Sequence, residues 1–381
     1  MIRILTIFGT RPEAIKLAPV LRELEKHPPI RSRACVTAQH REMLDQVLDV
    51  FEIKPDWDLD VMRKDQTLFE ITADVLSELE SILADERPDV VLVQGDTTTA
   101  FVAALAAYYW KVPVGHVEAG LRTGDRYSPF PEEMNRCLAD VLSAIHFAPT
   151  VRARENLLRE GIPEEGIYVT GNTVIDALLY VIDRQSSPSE QARVQDLLKK
   201  NYGLDLDERR LLLVTGHRRE SFGKDFQSIC MGLRDIAKQY ANSVQVVYPV
   251  HLNPNVRRPV RCILSGIPNV RLTDPMDYYT FCFLMSKAFL ILTDSGGIQE
   301  EAPSLKTPVL VMRNETERPE AIEVGVARLV GTRTETIVQA AQDLLDDPTE
   351  YQEMVAAGNP FGDGHAAERI VAVLIKHLTG R

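Results

Sequence analysis

The chain has 381 residues, of which 45% are hydrophobic and 26% are charged, and its formal net charge is −12 at pH 7. This length exceeds what one hydrophobic core usually serves and predicts two domains, while the composition is that of a globular protein without an apolar run long enough for a membrane span. The acidic balance disfavours binding to the nucleic-acid backbone but allows an anionic small ligand, because local groups decide what a pocket binds.

The N-terminus and the cysteines carry no sign of export. Residues 1–14 place a short apolar run directly before polar residues, without the apolar core and cleavage site of a signal peptide. The five cysteines are scattered and form no Cys-x-x-Cys pair, so neither a disulfide framework nor a zinc site is predicted. We therefore expect a cytoplasmic protein with reduced thiols and no metal.

Strands and helices alternate from the start of the chain. Residues 3–8 are typical of a buried strand, and Thr10 with Glu13 forms a capping-box pattern, so the first helix should begin directly after Gly9. Four more strands, each followed by a helical stretch, are predicted at 34–37, 90–94, 112–117 and 144–147. This alternation predicts a doubly wound domain with a parallel sheet.

A second series of the same kind predicts a second such domain, with strands at 211–215, 244–250, 289–293 and 308–312. The turn-rich segment 171–189 separates the two series, and we place the hinge near Asn172. The predicted domains are therefore 1–172 and 173–360, followed by a C-terminal helix in 361–381 that packs back on the first domain. Because open α/β sheets bind ligands at the carboxyl ends of their strands, we expect the site between the two domains.

Polar side chains follow several strands of the first domain. Arg11 and Lys16 lie at the start of the first helix, where an anion binds well, although a capped helix with exposed charges is the simpler alternative. Asp96 follows a strand and could be only a helix N-cap. Glu118 closes an apolar strand and is harder to explain as structure, since a buried acid costs free energy unless it is paired.

Glu132 and Arg136 share one face of a proline-started helix at i, i+4 spacing. An ordinary surface ion pair is the simplest explanation of this spacing. Taken alone, it would be preferred over a catalytic role.

Two segments of the second domain favour a phosphate ligand. His217 and Arg218 follow its first strand and suit a pyrophosphate, although a simple polar loop is the alternative. Residues 293–301 run from a strand through two glycines into a helix, which lets backbone N–H groups approach a phosphate closely. Glu301, one turn later, is placed to accept hydrogen bonds from a ribose, or else is a solvated carboxylate.

Two nucleotide-binding motifs are missing. No Gly-x-Gly-x-x-Gly follows the first strand, and the chain contains no Gly-x-x-x-x-Gly-Lys-Ser/Thr loop. We therefore expect no nicotinamide or other cofactor, and no nucleotide hydrolysis of the kind that depends on a Gly-x-x-x-x-Gly-Lys-Ser/Thr loop.

Eight segments together resemble the bacterial non-hydrolysing UDP-N-acetylglucosamine 2-epimerases. In chain order they are GTRPEAIK, VTAQHREML, QGDTTT, HVEAGLRTGD, SPFPEEMNR, GHRRES, TDSGGIQEEAPS and NPFGDG. The resemblance spans nearly the whole chain and implies a glycosyltransferase-B fold, in which two Rossmann-like doubly wound α/β domains face each other across the cleft that holds the active site.

The resemblance also implies roles for residues. The implied catalytic set is Lys16, Asp96, Glu118, Glu132, Arg136 and His217. The implied contacts to substrate and UDP are Arg11, Arg218, Phe281, Ser295, Gly296, Gly297, Glu301 and Arg313, with Phe281 near the uracil.

The implied reaction inverts C2 of UDP-N-acetylglucosamine to give UDP-N-acetylmannosamine. UDP leaves C1 by anti elimination, 2-acetamidoglucal stays bound, and UDP adds back after a proton reaches C2 from the opposite face. Asp96, Glu118 and Glu132 are the candidates for base and acid. The sequence leaves open which is which.

Some bacterial members of the resembled family bind a second UDP-N-acetylglucosamine as an activator. Gln39, His40, Arg41 and His251 match parts of that pattern, whereas Glu42 departs from the glutamine that other members carry. The resemblance further implies a homodimer and a product used for cell-surface polysaccharides.

Three alternatives stay open at this point. A hydrolysing epimerase would use the same elimination and release N-acetylmannosamine. A glycosyltransferase of the same fold would need an acceptor where the acidic cluster lies. A sugar-nucleotide sensor would bind without turnover, but it has no obvious use for three carboxylates at strand ends.

Overall fold

The computed structural model describes residues 1–37, 41–61, 63 and 66–380, with the backbone alone for 41–43. The chain divides into two compact units. Unit 1 is Met1–Ala177 together with Phe361–Arg381, and unit 2 is Leu178–Pro360. The helix that spans residues 173–184 therefore carries the boundary between them.

Unit 1 is built on a parallel sheet of seven strands in the order β3-β2-β1-β4-β5-β6-β7. The first strand is almost continuously apolar and buried, as expected for a strand covered on both faces. The strands are β1 (Ile2–Phe8), β2 (Ile30–Val36), β3 (Trp57–Asp58), β4 (Val90–Gln94), β5 (Val114–Val117), β6 (Ile145–Ala148) and β7 (Ile167–Val169).

Helices follow most of these strands and cover the sheet. They are α1 (Arg11–Glu25), α2 (Arg41–Phe51), α3 (Leu68–Glu86), α4 (Thr98–Tyr109), α5 (Glu132–Leu142), α6 (Val151–Arg159) and α7 (Thr173–Arg184). The predicted capping box is confirmed, because the Thr10 side chain accepts from the backbone of Glu13 and the Glu13 side chain accepts from that of Thr10.

Unit 2 is built on a parallel sheet of six strands in the order β10-β9-β8-β11-β12-β13. The strands are β8 (Arg210–Thr215), β9 (Val244–Pro249), β10 (Val270–Thr273), β11 (Ala288–Thr293), β12 (Val309–Val311) and β13 (Ala327–Leu329). The helices are α8 (Pro188–Tyr202), α9 (Lys224–Gln239), α10 (Pro254–Leu264), α11 (Tyr278–Lys287), α12 (Gly296–Glu301), α13 (Pro319–Glu323), α14 (Thr334–Asp346) and α15 (Pro348–Ala356).

The last helix, α16 (Ala366–Thr379), belongs to unit 1 and packs against α1. Its N-terminal N–H at Ala367 donates to the carboxylate of Asp176 in the first turn of α7, at 2.8 Å. Within the described ranges, no helix is long and apolar enough to cross a membrane.

The predicted fold class is confirmed, with two doubly wound parallel sheets in an α/β chain. All nine predicted strands form, within a few residues of the predicted bounds. The four strands that were not predicted are β3, β7, β10 and β13, and each lies at an edge of its sheet. They have two to four residues and mixed burial, so they lack the buried apolar run that marks a central strand.

Both sheets have a topological switch point, which is the place where the strand order reverses direction. In unit 1 it lies between β1 and β4, and in unit 2 between β8 and β11. In open α/β sheets, ligands bind beside the loops that follow the strands at such a point. Among the predicted site residues, Asp96, His217, Arg218 and Ser295 lie in these loops, and Arg11 is the first residue of the helix that follows one of them.

Candidate active site

Glu118 lies at the centre of a polar cluster at the carboxyl edge of the first sheet. It follows β5 directly with a φ of +67°, and its side chain is buried. Lys16 Nζ lies 2.5 and 2.7 Å from its two carboxylate oxygens. Gln94 Nε2 also donates to it, and Asn172 Nδ2 donates at 3.0 Å. Because every one of these partners is a donor, the arrangement is that of an ionised carboxylate paired with an ammonium.

Asp96 lies in the turn between β4 and α4. The alternative that it is the helix N-cap is wrong, because Thr97 occupies that position and its hydroxyl accepts from Ala100 N–H. The Asp96 carboxylate instead lies 3.5 Å from the guanidinium of Arg136, with 36% of its side chain exposed. The loop ends at Thr97 because a threonine with extended backbone geometry caps the helix that follows.

Five charged groups of unit 1 interact in one cluster around Asp96. Burial is the largest effect and raises the pKa of Asp96 above its ordinary value. The positive charges of Arg136 and Lys16 lower this pKa, whereas the negative charges of Glu118 and Glu132 raise it. A partly exposed carboxyl with a raised pKa holds a proton more readily than an ordinary aspartate and can still exchange it with solvent or a ligand. That property is what general acid–base chemistry needs.

The alternative that Glu132 and Arg136 form an ordinary surface ion pair is wrong. Arg136 is buried, and its Nε lies 3.2 Å from Glu133 instead. Glu133 turns inward because its carboxylate accepts from the backbone N–H groups of Thr123 and Gly124. Glu132 keeps a buried oxygen, Oε2, that has no hydrogen-bond partner among the described residues. An acceptor in that state suits a ligand hydroxyl or proton.

The two loops at the unit 1 switch point are joined by the buried carboxylate of Glu13. It accepts from Gly9 N–H at 3.1 Å and Thr10 N–H at 2.8 Å on one loop, and from the Thr97 hydroxyl at 2.7 Å on the other. Arg11 is half-buried at the first helical position beside this junction. Arg11 thus adds a positive charge to the first turn of a helix, where an anion is favoured.

In unit 2, Asp294 joins the two loops at the switch point in the same manner. Its buried Oδ2 accepts from the backbone N–H groups of His217 and Arg218, at 2.7 and 2.8 Å. Its Oδ1 lies 3.6 Å from His217 Nδ1. Burial lowers the pKa of His217, Asp294 opposes this shift, and His251 and Arg218 lower it further. His217 is therefore favoured as the neutral imidazole at pH 7, with Arg218 supplying positive charge beside it.

Ser295, Gly296 and Gly297 open helix α12 where the second loop ends. Ser295 is the N-cap residue but makes no side-chain capping bond. A Cβ atom built on Gly296 would lie 3.8 Å from the guanidinium groups of Arg218 and Arg318. Two guanidinium groups therefore lie beside the start of α12, and this is an arrangement that suits a phosphate.

Glu301 and Phe281 lie near this helix. The hydroxyl of Tyr278 donates to Glu301 Oε1 at 3.1 Å, and a Cβ on Gly297 would lie 3.6 Å from Glu301 Oε2. Glu301 is buried and is not the solvated carboxylate of the alternative interpretation. Phe281, half-buried, lies three residues after Tyr278 on α11.

Arg313 follows β12 and is buried against acidic side chains. Its Nε pairs with Glu220 at 2.6 Å, and a terminal nitrogen lies 3.6 Å from Glu317. Its other terminal nitrogen, Nη1, has no hydrogen-bond partner among the described residues.

Of the predicted effector residues, Gln39 and His40 lie outside the described residues, and only the backbone of Arg41 is described, as the first residue of α2. The ring of His251 stacks on that of His217, with centroids 5.5 Å apart and an interplanar angle of 18°. The effector site stays a prediction.

Sequence reasoning missed several partners of the predicted residues. They are Gln94 and Asn172 beside Glu118, Glu133 beside Arg136, Asp294 beneath His217, and Tyr278 beside Glu301. A polar residue at the end of an apolar strand is the signal that could have identified Gln94 and Asp294. The other three carry no comparable signal, because their partners are distant in the chain or share an ordinary helix.

Comparison with known proteins places these clusters in context. The sequence profile of the UDP-N-acetylglucosamine 2-epimerase family matches residues 22–375. The UDP-N-acetylglucosamine 2-epimerase of Yersinia pestis is 57% identical over 376 residues, which cover 98% of this chain and 99% of that protein. The enzyme of the same name from Salmonella typhimurium is 58% identical over 373 residues, or 98% of each chain.

A solved structure is also similar over nearly the full length. The crystal structure of UDP-GlcNAc 2-epimerase from Neisseria meningitidis bound to UDP-GlcNAc superposes with a TM-score of 0.91 at 50% identity. The match covers 98% of this chain and 100% of that one. Sequence and fold therefore agree on one family.

Proposed function

This chain belongs to the UDP-N-acetylglucosamine 2-epimerase family, and on that premise we propose that it interconverts UDP-N-acetylglucosamine and UDP-N-acetylmannosamine without releasing the sugar. The observation that carries the proposal is the unit 1 cluster. Three carboxylates lie there with two cations, and each carboxylate has different surroundings.

The chemistry explains the need for such a cluster. The C2–H bond of the sugar is not acidic, so direct inversion is not credible. When the C1–O bond to UDP breaks, positive charge develops at C1 and acidifies the C2 proton. A carboxylate removes that proton, a C1=C2 double bond forms, and the electrons of the broken C1–O bond leave with UDP. In the return step a proton is added to the opposite face of C2 while UDP re-forms the bond to C1.

The surroundings of each carboxylate support a division of roles. Glu118 has its oxygens occupied by donors and is stabilised as an anion, which suits electrostatic stabilisation of the positive charge at C1. Asp96, with its raised pKa and partial exposure, suits proton transfer. Glu132 has an unpaired oxygen and is the second candidate for proton transfer, on the other face of C2.

The unit 2 cluster supports binding of the leaving group. Negative charge builds on the β-phosphate as UDP departs, and Arg218 with the start of α12 can stabilise it. Neutral His217 can donate one hydrogen bond to the same group. Glu301, aligned by Tyr278, suits the ribose hydroxyls, and Phe281 on the same helix suits the uracil. On this proposal Arg11 and Arg313 add positive charge on the diphosphate.

The proposal extends to the setting of the reaction. We place the enzyme in the cytoplasm as a homodimer, supplying mannosamine units for cell-surface polysaccharides, and we assign a second UDP-N-acetylglucosamine the role of activator. The stacking of His251 on His217 supports contact between effector and reacting groups. A rate curve that stays hyperbolic over a wide range of substrate concentration would remove the activator from the proposal.

Product analysis tests the proposed function. Purified protein is incubated with UDP-N-acetylglucosamine, and nucleotide sugars are separated from free sugars and free UDP by ion-exchange chromatography. We expect a stable mixture of the two UDP-sugars, in which the concentration of free UDP does not exceed that of the enzyme. Stoichiometric UDP with N-acetylmannosamine would indicate the hydrolysing reaction instead. Turnover only with an added acceptor would indicate a transferase, and binding without turnover would indicate a sensor.

A further inference from the structure

His116 is a buried histidine in β5 whose two ring nitrogens both have close partners. Its Nε2 lies 2.8 Å from the carbonyl oxygen of Gly95, and its Nδ1 lies 2.6 Å from Asp140 Oδ1. The side chain has no exposed surface. Val93 of β4 is its register partner, so the ring reaches past the end of the neighbouring strand to the loop that follows it.

The partners define the charge of this ring. A carbonyl oxygen can only accept, so Nε2 carries a hydrogen. Asp140 Oδ2 accepts from the guanidinium of Arg122 at 2.7 Å and from Gly120 N–H at 3.2 Å. An arginine-paired carboxylate is ionised, so Asp140 accepts from Nδ1 as well. Both ring nitrogens therefore carry hydrogens, and His116 is an imidazolium.

The groups around His116 balance this buried charge. Arg122 also binds Glu160, with two hydrogen bonds of 2.7 Å, so two cations and two carboxylates form one continuous network. Two further ionisable groups lie beside the network. Burial raises the pKa of the Cys137 thiol, which keeps it neutral. His146 on β6 is the register partner of His116; its Nε2 donates to the Asp140 carbonyl at 2.8 Å, its Nδ1 lies 3.3 Å from the Gly166 carbonyl, and burial lowers its pKa. A neutral His146 leaves the charge balance unchanged, which is what a buried network of paired ions requires.

The same ring fixes the backbone next to Asp96. The carbonyl of Gly95 belongs to the peptide that precedes Asp96, and His116 holds it. The carbonyl of Asp96 belongs to the following peptide, and Asn135 Nδ2 holds it at 3.0 Å. Gly95 has a φ of +72°, a conformation that few other residues adopt. Both peptides that flank Asp96 are thus anchored by side chains of the unit interior.

We infer that His116 is a positioning residue for Asp96, held as an imidazolium between Asp140 and the Gly95 carbonyl so that the Asp96 carboxylate stays in place for proton transfer. The role in turnover rests on the proposed function of Asp96, whereas the charge of the ring does not. The two parts can therefore be tested separately.

Two substitutions separate the hydrogen bond to Gly95 from the contact with Asp140. In His116→Gln the side-chain nitrogen is placed like Nε2 and can still donate to Gly95. In His116→Asn it is placed like Nδ1 and reaches only Asp140. Because a small misplacement of a reacting group costs up to about 100-fold in rate, we expect kcat to fall about 30- to 100-fold in the asparagine variant and less than about 10-fold in the glutamine variant.

The readouts distinguish positioning from general structural damage. UDP affinity, measured by calorimetry, should stay within about twofold of the original in both variants, because the unit 2 cluster is unchanged. His146→Gln is the matched control, since it alters a buried histidine of the same sheet that holds neither peptide beside Asp96. Its side-chain nitrogen is placed like Nε2 and can keep the 2.8 Å hydrogen bond to the Asp140 carbonyl, so we expect full turnover. Equal kcat in the two His116 variants, or an equal loss in the control, would overturn the inference.

The charge of the ring is tested on the original protein by two-bond ¹H–¹⁵N correlation spectra of the chain labelled with ¹⁵N-histidine. The His116 signals are assigned by their absence in His116→Gln or, if that variant does not fold, from backbone assignments. At pH 8.5, where an exposed histidine with a pKa of about 6.5 is neutral, we expect both His116 nitrogens to be protonated. A single protonated nitrogen would overturn the inference, whether or not the protein turns over UDP-N-acetylglucosamine.

Discussion

Asp96 and Glu118 follow neighbouring strands of one sheet, yet their surroundings differ. Glu118 is buried and paired with Lys16, and three side chains donate to it. Asp96 keeps contact with solvent and faces Arg136 across 3.5 Å. One carboxylate is thereby held ionised while the other can change its protonation state. Environment rather than residue type separates the roles that we propose for them.

Replacing Asp96 tests its part in proton transfer. In Asp96→Asn the side chain keeps its shape but cannot take up or release a proton, so we expect kcat to fall about 100- to 10,000-fold. UDP affinity should stay within about threefold, because the unit 2 cluster is untouched. Asp85→Asn, an exposed aspartate on α3, is the matched control and should retain full turnover. Turnover within about twofold of the original in Asp96→Asn would contradict the assignment.

Tyr278 tests the alignment of Glu301. Removing its hydroxyl in Tyr278→Phe deletes the 3.1 Å hydrogen bond to the Glu301 carboxylate. A hydrogen bond to a charged group contributes about 1.5 to 3 kcal/mol, so we expect UDP affinity to fall about tenfold or more while kcat at saturating substrate changes little. Calorimetric titration with UDP measures the change, with Tyr108→Phe on the exposed end of α4 as the control. Unchanged UDP affinity would contradict the proposed contact between Glu301 and the nucleotide.

For single residues, the sequence motifs identified side chains that lie in the unit 1 and unit 2 clusters. The motifs did not identify the partners that determine the charge and orientation of these side chains. Gln94 and Glu118 are 24 positions apart, and His217 and Asp294 are 77 positions apart. Spacing within a motif cannot reveal such contacts, because they depend on which strands are neighbours in the sheet. For the same reason, the motif alone suggested a pair of Glu132 with Arg136, whereas Glu133 makes the contact.

At the scale of elements, the loops of each sheet are fixed where the strand order reverses. Glu13 joins the loops after β1 and β4, and Asp294 joins those after β8 and β11. The capping box that predicted the start of α1 therefore has a second use, since its carboxylate also holds the Asp96–Thr97 loop. Sequence predicts the central strands well because they are continuous buried runs. It misses the short edge strands because their side chains are only partly buried.

The junction of α7 and α16 predicts a pH dependence of stability. Burial raises the pKa of Asp176 to about 6, although the N–H groups of Ala366 and Ala367 oppose this rise. A carboxyl whose pKa is higher in the folded state stabilises that state below its unfolded pKa of about 3.9, and the contribution is lost as pH rises through about 6. This titration removes about 2 kcal/mol of folding stability between pH 4 and pH 7.

Urea unfolding of the original protein and of Asp176→Asn checks this sign. The asparagine carries no charge, so we expect the original to lose about 2 kcal/mol of unfolding free energy relative to the variant between pH 4.5 and pH 7.5. Asp85→Asn serves as control and should follow the original at both pH values. Parallel pH profiles of the original and Asp176→Asn would contradict a raised pKa.

At the scale of the whole molecule, the proposed work is divided between the two units. Proton transfer belongs to unit 1, and binding of UDP belongs to unit 2. Chain length and the repeated strand–helix pattern predicted two parallel sheets, because a chain of this size needs two cores. The order of the strands did not follow from the pattern. A buried apolar strand such as β1 or β8 can pair with any other apolar strand, so hydrophobicity alone does not specify its neighbours.

Hydrogen exchange tests this division. With UDP alone, we expect slower exchange at the backbone amides of 216–219 and 295–301 in unit 2, while the amides of α5 in unit 1 stay unchanged. UMP, which lacks the β-phosphate, should protect 216–219 less than UDP does. Protection by UDP confined to unit 1 would contradict the assignment of the nucleotide to unit 2.

The most direct test of the proposed reaction is proton NMR of the purified protein with UDP-N-acetylglucosamine in deuterated water. The anomeric signals and the C2 proton are followed through equilibration. Removal and return of the C2 proton predict that UDP-N-acetylmannosamine appears with deuterium at C2 and that the remaining UDP-N-acetylglucosamine also gains deuterium there. Conversion that retains the original proton at C2, or formation of free N-acetylmannosamine with UDP, would contradict the proposed reaction.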